Sequence, residues 1–286
     1  MELDTQRALD VAQTEEILRG VLIPPRPALL VEILEEQNRP EPNLDRIAHL
    51  VSEDVALAAS TLKLVNSPLF GLSRPVMDIG HAVRMLGLRN IVNLVTALLL
   101  HQAFRGTKGA LMERFWRQAE WMAHAATLVA RKSRVLPQEE AYTLGLFCDC
   151  GIPLLLRRFP EYAGVFEAAE REAEMRPSTE VERERLRTDH AAAGFLLARA
   201  WKLPSEFCQA ILRHHDPIDY YQAEKPESAV TYLAVLMVAQ HLVRQLLQRP
   251  PSAEWQAVGA SVQRFLGLSD EALILLAQSL KQLRPN

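Results

Sequence analysis

Leu64-Val65-Asn66-Ser67-Pro68-Leu69-Phe70-Gly71 reads as a helix end running into a turn, and Ala82-Val83-Arg84-Met85-Leu86-Gly87-Leu88-Arg89 reads as one helix handing over to the next. Leu57, Ala58, Thr61, Leu62 and Val65 keep helical spacing up to the first stop, with Asp54 as the cap at its start. Ser67 precedes Pro68 and is pushed towards extended backbone, so the helix ends there. Asn66 is expected to leave it in left-handed geometry. Gly71 and Pro75 keep residues 69–75 irregular. Gly87 closes a short helix that starts at Met77 or Asp78, and the next, Leu88–Phe104, begins at once. None of these residues offers a nucleophile or a phosphate cradle. Their role is structural, with Asn66, Ser67, Pro68 and Gly71 as an exposed turn at which a partner could be met.

Outward from this motif almost every segment is helical. Thr5–Arg19 is a mixed-polarity helix, interrupted by Leu22-Ile23-Pro24-Pro25-Arg26-Pro27, where proline removes donors. Ala28–Gln37 resumes helical spacing, and Asn43 caps a helix through Leu44, Ile47 and Val51. Gly106 and Gly109 suggest a boundary, giving an N-terminal lobe over 1–106 and a helical bundle over 107–286. The bundle opens with a long helix from Met112 to Lys132. Pro137 precedes another that reaches Phe147. Ile152–Arg158 and Glu161–Met175 follow. Thr179 and Glu182 have capping-box spacing, which predicts a continuous helix from there to Trp201, its first turns (Glu180–Arg187) a solvated face. Ser205 to His215 is helical. Ala229–Leu247 is apolar around most of its circumference and belongs in a core. The fold class is all-α.

The chain has 286 residues, 49% hydrophobic and 23% charged, the balance of an ordinary globular protein. Only 12 are glycine, which disfavours a turn-rich β fold. A formal charge of −3 argues against a broadly basic nucleic-acid binder. The three cysteines make no disulfide framework, so a reducing, cytoplasmic setting is expected. No leader pattern follows Met1. Ile91–Leu100 and Tyr232–Ala239 fall short of the roughly 20 apolar residues needed to span a bilayer, so no membrane association is expected.

The Leu22–Pro27 entry, the run Ile47-Ala48-His49-Leu50-Val51 to Leu57, the Asn66–Gly71 turn and the Ala82–Arg89 helix pair together resemble the HDOD family, the HD-related output domain of bacterial signalling proteins. Val55 stands where that pattern has proline and Val65 where it has alanine. Phe115-Trp116-Arg117, Gly145–Gly151, Leu203-Pro204 and His214-His215 fit its second half, so the likeness covers about residues 16–216. It implies an N-terminal lobe packed on a degenerate HD-like bundle, and a non-catalytic signalling module that acts by binding a protein partner in trans or a small ligand in the relic pocket.

The resemblance also implies where a hydrolytic metal site would have been. An HD-type phosphohydrolase holds metal with a histidine on one helix, a His-Asp pair on the next, and later histidines. Here Gln118 takes the first position and Cys148 stands before Asp149. His190, His214 and His215 fall where the later ligands belong. Gln118 is a weak neutral oxygen donor, and a thiolate suits zinc rather than a hard hydrolytic cation. His124, six residues from Gln118, lies about 240° around the helix and faces elsewhere. The expectation is therefore a relic pocket of Gln118, Cys148, Asp149, His190, His214 and His215, with no metal and no cofactor. Asp149 would cap the helix before Ile152 or pair with a histidine. Two rivals remain: a metal-dependent phosphohydrolase, and a nucleic-acid-binding regulator built on the helix-turn-helix outline of Ile79–Asn93.

Overall fold

The computed structural model describes residues 2–20, 23–104, 106–107, 109–216 and 228–283, with side chains from Gln6 onward except that of Ser228. Leu22 of the proline-rich entry lies outside them. Among the described residues there are sixteen α-helices and no strand. In the first half these are α1 (Glu2–Ile17), α2 (Ala28–Gln37), α3 (Leu44–Glu53), α4 (Val55–Val65), α5 (Ile79–Leu86) and α6 (Leu88–Ala103). Next come α7 (Ala110–Ser133), α8 (Gln138–Phe147), α9 (Ile152–Arg158), α10 (Tyr162–Glu172), α11 (Ser178–Leu186), α12 (His190–Ala200) and α13 (Ser205–Arg213). The chain closes with α14 (Ser228–Leu246), α15 (Ala253–Leu266) and α16 (Asp270–Gln282).

The predicted caps form. Asn43, Asp54 and Asp78 accept from the backbone N–H groups of Arg46, Leu57 and His81 at 3.0, 2.9 and 2.7 Å. Gly87, at φ 82°, lets α5 hand over to α6 without a linker. Asn66 differs from expectation: its φ of −83° and ψ of 1° are not left-handed. Its amide instead clamps the turn, accepting from Val76 N at 2.7 Å and donating to Val76 O at 2.8 Å. That satisfies both strand-like groups of Val76 and closes a loop whose Leu69 and Phe70 are buried while Gly71, Ser73 and Arg74 are exposed.

The predicted helix from Thr179 to Trp201 is two helices. Arg187 turns left-handed at φ 61°, and Asp189 restarts the chain as the cap of α12, accepting from Ala192 N at 2.7 Å. No capping box forms at Thr179, whose hydroxyl is buried without a partner, because Glu182 turns away towards His190. Nor is Glu180–Arg187 simply a solvated face: Val181, Glu182 and Leu186 are buried.

Helices α2–α6 pack on one another, and α7, α8 and α14 form the centre of the bundle. A single apolar core runs from Val11 to Leu280 through both parts. Helix α14 contains an 18-residue window, Ala229–Leu246, of mean hydropathy 1.3, longer than the apolar run seen in sequence; 67% of it is buried in this core. Helix α1 lies against α12 rather than with α2–α6, so the 1–106 division does not describe its packing. Arg7 reaches from α1 to Asp216 and, at 3.2 Å, to Asp189, with Arg183 on the other side of Asp189 at 2.5 Å. Arg7, Asp189 and Asp216 are buried, Arg183 is half-buried, and each carboxylate has a cation.

Trp201, fully buried, ends α12, donates from Nε1 to Pro24 O at 3.0 Å and meets Phe147 edge-on. Trp201→Ala removes this anchor and is expected to cost about 3–5 kcal/mol, read as a fall in the urea midpoint. Asp189→Asn keeps the cap but removes the charge between Arg7 and Arg183. Burial raises the Asp189 pKa, but the two arginines, the Ala192 N–H and His190 together hold it below the usual carboxylate range. Its contribution is therefore present above the unfolded carboxylate pKa and lost as pH falls through the folded one. The variant is expected to lose roughly 3–5 kcal/mol at pH 7, and denaturation at acid pH should bring variant and parent together.

Candidate functional site

Two glycines set the site. A Cβ on Gly151 would lie 2.0 Å from the His190 carbonyl oxygen and 2.6 Å from Gly194 N, so the turn after α8 can lie directly on the first turn of α12. This brings Asp149 against His190. Helix α13 then delivers His214 at its C-terminus, with His215 following. Asp149 Oδ1 stands 3.1 Å from His214 Nε2 and 3.5 Å from His190 Nε2, and the two Nε2 atoms are 3.4 Å apart. A donor atom from each of Asp149, His190, His214 and His215 lies within 4.8 Å of the others.

The imidazoles are held by their other nitrogens. Glu182, buried in α11, accepts from His190 N at 2.8 Å and from His190 Nδ1 at 2.7 Å. Tyr162 donates to the other Glu182 oxygen at 2.6 Å. His214 Nδ1 donates to Ile211 O at 2.7 Å, and His215 Nδ1 pairs with Glu254 at 2.8 Å. A hydrogen bond at Nδ1 fixes the tautomer and turns Nε2 inward, the arrangement that supports metal-binding histidines. His215 Nε2 meets the Ser178 hydroxyl at 3.2 Å.

The charges are strongly coupled. Burial lowers the His190 pKa, but Glu182 and Asp149 more than offset this and hold it well above the ordinary value, favouring the protonated ring. Burial would raise Asp149, yet hydrogen bonds from His190 and His214 keep it well below the carboxylate range. Burial and neighbouring His215 lower His214, which stays neutral. Burial raises the Glu254 pKa, but bonding to His215 dominates and brings it to about 2. The proton on His190 supplies positive charge where three acceptors converge, the need a bound cation would also meet. Donors around a tetrahedral ion with metal–nitrogen distances of about 2.0–2.1 Å stand about 3.4 Å apart. The Asp149–His190–His214 triangle has those dimensions.

The sequence candidates separate into two groups. Asp149, His190, His214 and His215 meet. Gln118 lines the same cleft. Cys148 is absent from both cluster and cleft: its buried thiol donates to Gly145 O at 3.2 Å. Burial, Asp149 and Cys150 push its pKa well above the ordinary thiol value, and burial does the same to Cys150, so neither offers a thiolate. Asp149 does not cap α9 with its side chain; its carboxylate goes to the histidines. His124 is buried beside Trp121 and Tyr142, its pKa lowered by burial to about 4, and takes no part. Asn66, Ser67, Pro68 and Gly71 do not line the cleft.

Sequence reading missed Glu182, Tyr162, Glu254 and Arg7. Glu182 carries one available signal: in a mixed-charge run it sits one position after Val181 on a helix with buried apolar neighbours. Nothing local marks Arg7, which acts across more than two hundred residues.

The family model of the HDOD domain matches residues 23–217. An uncharacterized protein from Treponema pallidum (strain Nichols) is 28% identical over 262 residues, covering 91% of this chain, which spans about half (49%) of that relative's length. An HDOD domain protein of unknown function from Geobacter sulfurreducens is 25% identical and superposes with a TM-score of 0.70 over 96% of this chain and 94% of its own. A Shewanella amazonensis SB2B protein described as a candidate phosphohydrolase is also 25% identical, with a TM-score of 0.67 over 93% of each chain. A candidate signal transduction protein from Marinobacter aquaeolei VT8, 21% identical with a TM-score of 0.70 over 96% of this chain and 63% of its own, shares the fold. With the helix-pair motif, an all-helical fold and a family match over more than half of its length, this chain belongs to the HDOD family.

Proposed function

We propose that this chain is a non-catalytic signal-transduction module that acts by binding. It would hold one divalent transition-metal ion at Asp149, His190, His214 and His215, take a small ligand in the adjoining cleft, and act on a signalling protein in trans. The observation that carries this reading is a donor set confined to one side. Three imidazoles, each braced at Nδ1, converge with Asp149, whereas Gln118 and Cys148 offer a neutral amide and an unionised buried thiol. Four nitrogen and oxygen donors complete one tetrahedral ion of zinc type. Among the described residues, no second such group of histidines and acids is found for another ion. The ion would supply fixed positive charge beside Asp149 and Glu182 and stiffen the α8–α9 turn against α12 and α13. Metal binding requires neutral imidazole, so it would displace the His190 proton.

The rival is a metal-dependent phosphohydrolase; phosphohydrolase is the description of the Shewanella amazonensis relative. Elemental analysis and calorimetric zinc titration of the purified protein separate the two. The expected result is about one ion per chain, lost in His214→Ala, with no cleavage of bis(4-nitrophenyl) phosphate in zinc, manganese or magnesium. Turnover that disappears in Asp149→Ala would establish the hydrolase instead. A folded protein that takes up no ion would remove the metal from the proposal.

A further inference from the structure

The cleft beside the histidines has a second polar end. It encloses about 100 Å³, and Phe115, Phe166, Ile152 and Val243 form apolar walls leading to Arg244 and Arg249. Arg249 pairs with Glu170, and Arg114 pairs with the same Glu170 oxygen at 3.1 Å while its guanidinium lies 5.0 Å above the Phe166 ring. Arg244 spends its Nε on Pro250 O at 2.8 Å. Among the described residues, Glu170 is the one carboxylate in salt-bridge contact with any of these three arginines. Burial lowers the Arg249 pKa; Glu170 raises it, and Arg114 and Arg244 press it down again.

Three guanidinium charges thus face one carboxylate. The other carboxylates lining the cleft bond to imidazoles instead: Asp149 to His214, Glu182 to His190 and Glu254 to His215. At the arginine end the local excess is two positive charges on half-buried groups beside aromatic walls. We infer that this end of the cleft binds a small doubly charged oxyanion, a phosphate monoester or a dicarboxylate, carried on a flat apolar ring. The guanidinium forks of Arg244 and Arg249 take the oxyanion, as such forks do for both phosphate and carboxylate. Phe115 and Phe166 take the ring. The inference rests on reading the cleft as a ligand site, but it does not require the metal.

The test is calorimetric titration of the full chain, chelator-treated and zinc-loaded, with phenyl phosphate, phthalate, inorganic phosphate and phenol. Phenyl phosphate, phthalate or both should bind about tenfold or more tightly than inorganic phosphate or phenol, and Arg249→Ala and Arg244→Ala should each lose about tenfold or more. Arg171→Ala, on the exposed face of α10, should bind as the parent does. Thermal melting checks that the variants are folded, and Arg244→Ala stands alone if Arg249→Ala is not. Binding of phenyl phosphate alone identifies a phosphate ester as the class; binding of both probes identifies dianions generally. No binding of either probe overturns the inference while leaving one-ion uptake intact. Binding that needs zinc, disappears in Asp149→Ala and survives both arginine variants also overturns it, because the anion then sits at the histidines.

Discussion

The Glu182 carboxylate is the contact on which the site depends. It is buried on α11, yet its hydrogen bonds reach the first residue of α12: the His190 backbone N–H, the His190 ring and, from the opposite side, the Tyr162 hydroxyl. A buried carboxylate is tolerable only with such company. One group therefore ties α11 to the first residue of α12 and fixes which nitrogen of His190 faces the cleft. The left-handed turn at Arg187 and the cap at Asp189 follow from bringing Glu182 back on His190. A straight helix from Thr179 to Trp201 would place them eight residues apart along one axis, roughly 12 Å, where no side chain could join them.

This is also why that segment misled sequence reading. Thr179 and Glu182 have the spacing of a capping box, and the local rule is sound in isolation. The tertiary demand of His190 for a carboxylate outweighed it, leaving the Thr179 hydroxyl buried and unpaired. Most of the remaining fold was legible because its stops are covalent or local: Pro68, Gly87, Asn43, Asp54 and Asp78 act on residues within a turn of themselves. Asn66 was located correctly but for the wrong reason, since an amide clamp on Val76 cannot be told from left-handed geometry without the partner ten residues on.

The site was half legible. Asp149 and the three histidines announce themselves by residue type, and the weakness of Gln118 and Cys148 by their chemistry. The support was hidden. Glu182 and Glu254 brace imidazoles from elements that sequence spacing does not connect, and Arg7 arrives from the other end of the chain. Those bracing contacts alter the conclusion. Four bare donors at helix ends are a relic, whereas donors whose tautomers are fixed from behind form a geometry that a single cation can use.

Electrostatics gives the same cleft a direction. At the histidine end, Asp149, Glu182 and Glu254 are taken up in hydrogen bonds that hold the imidazoles in place. At the arginine end, Glu170 is shared between Arg114 and Arg249, and the Arg244 Nε is satisfied by a backbone carbonyl, which does not neutralise its charge. Holding three guanidiniums half-buried on one carboxylate costs stability unless something else answers them. In the free protein that is water and salt. A doubly charged ligand would do so with less screening, because the Phe115 and Phe166 walls exclude solvent from one side of it. The fold therefore keeps an unbalanced charge next to an apolar surface at the point where α10 meets the end of α14. An anion bound there would draw those two helices together.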